Sequence, residues 1–279
     1  MESARLKNIA IIILLLLNAV LLSLVALRRV QETRAVAAAR RDAAEVIRAA
    51  GIELSGDVLP DRMKLQPMAA ARDVAAEERV AKKLLGRAAE QEAPGGGVYR
   101  WRGENGSIQF HSTGEFSARF TADAIAAAEG QTPEEHAAQL LRALGFEAEL
   151  TRSGAADGTG SVTFRQTLSG VNLIGCRMTL HYSGGTLTGI SDARWLIGSP
   201  VKRGQAAFAD PATVLMGIYH GLTAQDEPCG AIERIVPAYE YSADLSGGAR
   251  LSPVWYVRTD TQTYLLDAQA TALKRVTDQ

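Results

Sequence analysis

The sequence predicts an α+β protein attached to a membrane: an N-terminal transmembrane helix, a helical stalk, then repeated units of one helix on an antiparallel sheet. Three observations carry this expectation. Residues Ile9–Leu27 are apolar except for Asn18 and Ser23. Residues 28–50 are rich in Ala, Arg and Glu, which favour helix, and contain neither Gly nor Pro. Further along, helix-start signals are followed by short runs suited to strands and bounded by Gly, Asp and Ser.

At about 1.5 Å rise per residue the apolar run makes a helix of roughly 28 Å, close to the thickness of a bilayer core. Arg5 and Lys7 give it a basic start. The run is longer than a signal-peptide core, and its exit, Ser23 to Leu27, shows no good A-x-A pattern, so an uncleaved anchor is expected. The signals for orientation conflict. Arg28, Arg29, Arg34, Arg40 and Arg41 follow the span, and a count of positive charge keeps the C-terminal region in the cytoplasm. A short charged tail is hard to translocate, however. The adopted reading has residues 1–8 as a cytoplasmic tail, 9–27 as the span, and everything after it outside the cell membrane.

The stalk, residues 28–50, places Val36, Ala39, Ala43, Val46 and Ile47 near one face and ends at Gly51, a usual C-cap signal. It is basic while the rest of the chain is mildly acidic. It can touch anionic lipid head groups or simply be a solvated helix face. Over the whole chain 30 Lys and Arg balance 31 Asp and Glu, which gives no field for nucleic acid.

Residues 51–130 read as a membrane-proximal α+β segment. Pro60 and Pro67 mark extended chain, with a short strand at Met63–Leu65. A helix over Ala75–Ala89 carries Val80, Leu84 and Leu85 on one side, and Pro94-Gly95-Gly96-Gly97 breaks it. Val98–Trp101 and Ile108–Phe110 flank Gly103-Glu104-Asn105-Gly106, a hairpin signal. Asn105-Gly106-Ser107 is also a glycosylation sequon, but the turn accounts for it.

Residues 131–200 form the first helix-plus-sheet unit. Thr132 is the N-cap, Pro133 N1 and Glu135 N3 of a helix through Leu140, Leu141 and Leu144 that closes at Gly145. Strands follow at about 146–152, 161–168, 174–183 and 186–193. In the second unit, 201–279, Asp210-Pro211 opens a helix through Val214, Leu215, Ile218 and Tyr219 that ends near Gly221. Its strands fall at roughly 231–242, 251–259 and 262–267.

No catalytic constellation is legible. The patterns G-x-S-x-G, H-E-x-x-H and the P-loop do not occur. Ser153-Gly154 and Ser246-Gly247-Gly248 are glycine-flanked turns without a neighbouring base, and Glu77-Glu78 and Glu134-Glu135 suit helix faces or first turns. No enzymatic activity, cofactor or metal is expected; His111, His136, His181 and His220 lack ligand spacing. Cys176 and Cys229 permit one disulfide in an exported domain, though their apolar or glycine-flanked settings favour two buried free thiols.

Two sets of residues are candidates for contact. Asn18 at mid-span is costly to leave facing lipid, and Leu15, Ala19, Leu22 and Ser23 surround it as a surface for a partner helix. Equally, Asn18 can bond its own backbone. Trp195, Trp255 and Tyr239 can line a ligand or partner groove, although such residues are more often core.

The closing stretch Leu251-Ser252-Pro253-Val254-Trp255-Tyr256-Val257, then Thr263-Tyr264-Leu265-Leu266-Asp267-Ala268, resembles the end of a PepSY-type domain. Gln269-Ala270-Thr271-Ala272 departs from it in lacking the Gly that commonly follows. Phe164-Arg165-Gln166-Thr167-Leu168-Ser169-Gly170-Val171 resembles a segment of the YycH/YycI regulatory proteins, and the Ser183-Gly184-Gly185 turn continues it. A basic tail, one span, a helical stalk and Leu59-Pro60 match the YycI layout. The resemblance covers most of the chain in layout and about thirty residues in motif. It implies an extracytoplasmic accessory protein of Gram-positive bacteria that acts on a WalK-type sensor histidine kinase governing cell-wall metabolism, assisted by a YycH-type partner. The alternatives are a PepSY-like inhibitor or chaperone of a cell-surface peptidase, and a cell-wall ligand sensor.

Overall fold

The computed structural model describes residues 2–55, 58–244 and 247–276, with side chains from Ile13 onward. The side chains of Arg5, Lys7 and the first residues of the apolar run, and Ser246 of its turn, lie outside the described residues.

The chain is a mixed α+β protein with a long apolar N-terminal helix and a large, mainly antiparallel sheet. In chain order, α1 (Glu2–Ala49) is followed by β1 (Glu53–Leu54), β2 (Met68–Ala70), α2 (Val74–Leu85), β3 (Glu90–Gly95), β4 (Val98–Gly103), β5 (Gly106–Phe110) and β6 (Glu115–Phe120). Next come α3 (Pro133–Leu144), β7 (Ala148–Ser153), β8 (Gly160–Leu168), β9 (Val171–Ser183), β10 (Thr186–Arg194) and β11 (Val201–Lys202). The chain closes with α4 (Pro211–Ala224), β12 (Ala231–Ala243), β13 (Ala249–Thr259), β14 (Thr263–Asp267) and β15 (Leu273–Arg275).

Span and stalk are one unbroken helix. With no Gly or Pro in its interior, nothing interrupts the backbone ladder of α1 until Gly51, which adopts φ +86°. There the amide of Ile52 donates to the Ile47 carbonyl at 3.2 Å and that of Gly51 to Arg48 at 3.0 Å, a Schellman closure of the orphan carbonyls. Among the described residues, α1 is the helix long and apolar enough to cross a membrane, and no part of its apolar window is covered by protein.

Contacts divide the chain into two compact units that are interleaved in sequence. The helical unit comprises Met1–Arg62, Phe208–Ile235 and Val257–Gln279; the sheet unit comprises Met63–Ala207 and Val236–Tyr256. This grouping does not follow the linear segments 131–200 and 201–279, because β12 and β13 each run through both units.

In the helical unit the last turns of α1 pack on α4, burying Ala43, Ala44 and Ile47 with Val214, Leu215, Ile218 and Leu222. Asp210 caps α4, its carboxylate accepting from the amides of Ala212 at 3.0 Å and Thr213 at 3.1 Å. The helix continues past Gly221 to Ala224, beyond the expected end. Gly221 is there for close approach, since a Cβ at that position would lie 2.5 Å from the Leu273 Cβ.

The sheet is ordered β11-β2-β13-β12-β9-β10-β6-β5-β4-β3, with β8 also paired to β9 and β7 to β8. Helices α2 and α3 bury Val80, Ala81, Leu84, Leu85, Ala137 and Leu141 in one core with Trp101, Phe110, Phe116, Phe164 and Leu180. The capping box at Thr132 and Glu135 and the αL closure at Gly145 form as expected. The hairpin between β4 and β5 also forms, with Gly103 opposite Gly106. Its tip closes the end of α2, because the Asn105 side-chain amide donates to the Leu84 carbonyl at 3.1 Å.

Two local expectations are corrected. Met63–Leu65 is not a strand; the ladder begins after Pro67, which has no N–H to donate. The helix expected to Ala89 stops at Leu85, because Gly86 turns the chain at φ +98°. Residues 90–95 then form β3, an exposed edge strand where Pro94 is tolerated.

Candidate functional site

Period-two alternation gives the sheet unit two unlike faces. Ile108, Phe110, Phe116, Ala118, Met178 and Leu180 are buried in the core with the helices. Their neighbours Gln109, Ser117, Arg177 and Thr179 alternate with them as only part-buried or exposed polar residues.

The site lies where this sheet forks. Strand β9 pairs with β8 except at 173–176, where the register shifts; it pairs with β10 over Thr179–Ser183 and, in parallel, with β12 at Leu173 and Ile174. Residues 175–178 fall between those two registers. Strand β10 has a register shift between Ile190 and Ala193, with Asp192 at φ +46°, and then continues along β6 with Ala193 opposite Phe116 and Arg194 opposite Glu115. A bulge of this kind bends a strand and re-aims its side chains. An open cleft of about 390 Å³ results, lined by His111, Glu115, Ser117, Arg177, Asp192 and Arg194, with Gly175 beside them.

Its two arginines and two carboxylates balance in formal charge but are unequally paired. Arg194 forms an ion pair with Glu115, yet its Nε–H is buried without an acceptor. Arg177 is half-buried and has no side-chain partner among the described residues. Directly opposite it across the β8–β9 ladder stands Arg165, which lies over the Tyr256 ring at 5.8 Å. Like charges opposite one another on adjacent strands are destabilising. Arg100 Nη2 donates to Gln109 Oε1 at 3.2 Å, which fixes that amide; its nitrogen then donates to His111 Nε2 at 2.9 Å and leaves the imidazole hydrogen on Nδ1. The arrangement offers several donors and an uncompensated guanidinium to an anion.

A second, smaller cavity of about 30 Å³ lies beside the Arg72–Glu77 ion pair, next to Trp195 and Tyr241. Arg72 Nε and Nη2 donate to Glu77 Oε1 and Oε2 at 2.7 and 2.9 Å, and its guanidinium sits 4.6 Å from the centre of the Tyr99 ring. This is a fully used fork and a structural feature of the unit.

The residues singled out from the sequence lie elsewhere. Leu15, Asn18, Ala19, Leu22 and Ser23 share one exposed face of α1. There Asn18 Nδ2 donates to the Leu14 carbonyl at 2.9 Å and Ser23 Oγ to Ala19 at 2.8 Å, so both use their own helix and leave Asn18 Oδ1 for a neighbour. Trp195, Trp255 and Tyr239 do not line an open groove; they are 1, 1 and 3 % exposed, and the Tyr239 hydroxyl holds the Gln66 carbonyl at 3.0 Å. Tyr239 and Trp255 lie in stretches of β12 and β13 where successive residues are buried, and Trp195 follows the end of β10 into the core.

Both thiols are free, but only Cys176 is buried and Cys229 is half-buried. Burial pushes Cys176 up to about 12 and Cys229 up to about 11, so neither is a thiolate at neutral pH. Ser153 has a carboxylate neighbour after all, since its hydroxyl donates to Glu134. That bond holds Glu134 below its usual range and makes it a weaker base. Among the described residues no group of His, Cys, Asp and Glu is arranged to hold a metal ion.

Sequence reasoning missed the cleft because its members come from three strands, β6, β9 and β10, and the loop before β6, whose pairing has no local signal. Arg165 and Arg177 become unusual only once their register is known.

No protein-family model matches the chain, and neither does any curated protein. Among solved structures it is similar to an uncharacterized protein from Eubacterium rectale ATCC 33656, at 12% identity and a TM-score of 0.44 over 76% of this chain and 86% of that one. It is also similar to the Bacillus megaterium YpeB C-terminal domain, at 12% identity and a TM-score of 0.38 over 75% of this chain and 99% of that one. Likeness at this level shows neither a family nor a function.

Proposed function

We propose that this protein is a membrane-anchored, extracytoplasmic regulatory protein that works by contact, modulating a sensor histidine kinase through α1 and the folded units. The YycI resemblance supplies the kinase and a YycH-type partner. The supporting observation is the continuity of α1: the helix that carries the apolar run also supplies Ala43, Ala44 and Ile47 to the core of the helical unit. Its 48 residues make a rod of roughly 72 Å. A rod with no hinge passes a displacement of the folded unit to the span. It shifts the kinase only as far as it binds one conformational state better than the other.

The test inserts Gly-Ser-Gly between Val30 and Gln31, which leaves the run and the packed end of α1 untouched. In membranes, the kinase that co-purifies with the intact chain is expected to lose its regulation. Unchanged kinase activity with the insertion overturns mechanical coupling. The polar cleft favours a second reading, a sensor of cell-wall ligands or an inhibitor of a surface peptidase, acting through the folded units alone. Such a protein retains its function with the insertion. Protease accessibility on whole cells tests the orientation, and protection of the folded units refutes an outer location.

A further inference from the structure

We infer that the cleft at the fork of the sheet binds the oxyanion end of a polar small molecule, a carboxylate or a phosphate, with Arg177 as its principal ligand. This inference stands whether or not α1 crosses a membrane.

Three independent observations converge on it. First, Arg177 is a half-buried guanidinium with no partner among the described residues, and its cross-strand neighbour is another arginine. Arg165 has Glu149 opposite it on β7, so an anion in the cleft serves Arg177, the member of the row that lacks a partner. Second, a further guanidinium, that of Arg194, lines the same cleft, and its pair with Glu115 is itself partly exposed. An oxyanion seated between Arg177 and Arg194 gains charge-assisted bonds from both. Third, the cleft is shaped by two backbone irregularities, the positive φ of Asp192 in the bulge and that of Gly175, at +46° and +90°. A non-glycine residue in the left-handed region is uncommon, and strain of this sort gathers at ligand sites.

The same residues limit the ligand. A volume of about 390 Å³ falls in the range of small-molecule sites, well above what one carboxylate or phosphate group fills. The lining is polar apart from Phe116 and Ala193, so the remainder of the ligand is hydrophilic. Asp192 is an exposed carboxylate on the rim, and Glu115 is a second. Both repel a further negative charge and favour a hydroxyl or ammonium group at the far end. A molecule with several anionic groups does not suit the site; one with a single oxyanion end does.

The test uses the full chain in detergent micelles, labelled with ¹⁵N-arginine, and follows the Nε–Hε resonances by NMR. Titrants are N-acetyl-alanine, its C-terminal amide and, separately, inorganic phosphate. Saturable shifts of Arg177 and Arg194 with N-acetyl-alanine, absent with the amide, support the proposal and assign a carboxylate. Saturation with phosphate alone supports it and assigns a phosphate. Arg177→Gln is expected to weaken binding about tenfold, the worth of one hydrogen bond to a charged group. Asp192→Asn is expected to strengthen it by removing the repulsion. Because Arg177→Gln alters a strand, tryptophan emission checks its fold, and Asp192→Asn tests the same site without touching β9. Shifts that never saturate, or that appear equally at the exposed Arg29, overturn the proposal, as does an Asp192→Asn chain that binds more weakly.

Discussion

Removing the charge from Glu77 should cost the sheet unit a large part of its stability. The Glu77 and Arg72 side chains are only 7 and 14 % exposed, and two parallel bonds join them. Glu77→Gln keeps the shape but leaves the guanidinium buried against a neutral amide. Breaking a buried pair from one side typically costs about 3–5 kcal/mol. Arg72 keeps its bond to the Gly97 carbonyl and its place over the Tyr99 ring, which puts the expected loss near the lower end, about 3 kcal/mol. That is more than a hundredfold in the folding equilibrium, at about 1.4 kcal/mol per factor of ten. The double variant Arg72→Met with Glu77→Leu should recover most of it, because an apolar pair has no charge to desolvate. Urea unfolding followed by tryptophan emission reads the effect. Trp101, Trp195 and Trp255 are all buried, all in the sheet unit, and are the only three in the chain. A single-variant loss below about 1 kcal/mol, the value of an exposed pair, would refute the reasoning. So would a double variant no more stable than Glu77→Gln.

Ile47→Ala should destabilise the helical unit by about 2–5 kcal/mol, since Ile47 is fully buried at the packed end of α1; thermal melts by circular dichroism measure it. Asp210→Ala should cost about 1 kcal/mol through loss of the α4 N-cap. The Thr213 hydroxyl, then the backbone amides, hold the Asp210 carboxyl below its ordinary value. Its contribution is therefore present above the unfolded pKa of about 3.9 and lost as pH falls through the lowered one, so Asp210→Ala should flatten the acid limb of a stability profile. Burial lowers the pKa of His136, whose Nδ1 meets the Tyr182 hydroxyl at 2.8 Å. The unfolded chain then binds more protons below about pH 6.5, so stability is full above that value and declines beneath it. Urea midpoints for His136→Gln should lose this slope, and an unchanged slope would place its origin elsewhere.

Much of the fold was legible where local chemistry decides it. Thr132-Pro133-Glu134-Glu135 and Asp210-Pro211 start their helices because capping needs only neighbours in sequence. Gly86 was the missed stop in α2; its surroundings lack the Pro-Gly run that drew attention to 94–97. Glu77 was read as a first-turn acid that suits the dipole, yet it stands three and four residues from Val80 and Ala81, on the buried stripe. A carboxylate on that stripe calls for a buried cation, and the sequence could have posed that question. What it could not supply is Arg72 as the answer, or the meeting of Arg177, Arg165 and Arg194, because strand order and register are settled by packing across the whole sheet.

The unbroken ladder of α1 also fixes an azimuth. At about 100° per residue, the direction shared by Ala43, Ala44 and Ile47 lies within roughly 40° of the direction shared by Leu15, Asn18, Ala19, Leu22 and Ser23. The side of the rod that docks against α4 and the side that presents Asn18 therefore look the same way, about 30 Å apart along the axis from Ser23 to Ala43. A neighbour seated on the lower patch would stand in line with α4, and turning the rod would swing both together like two flags on one mast.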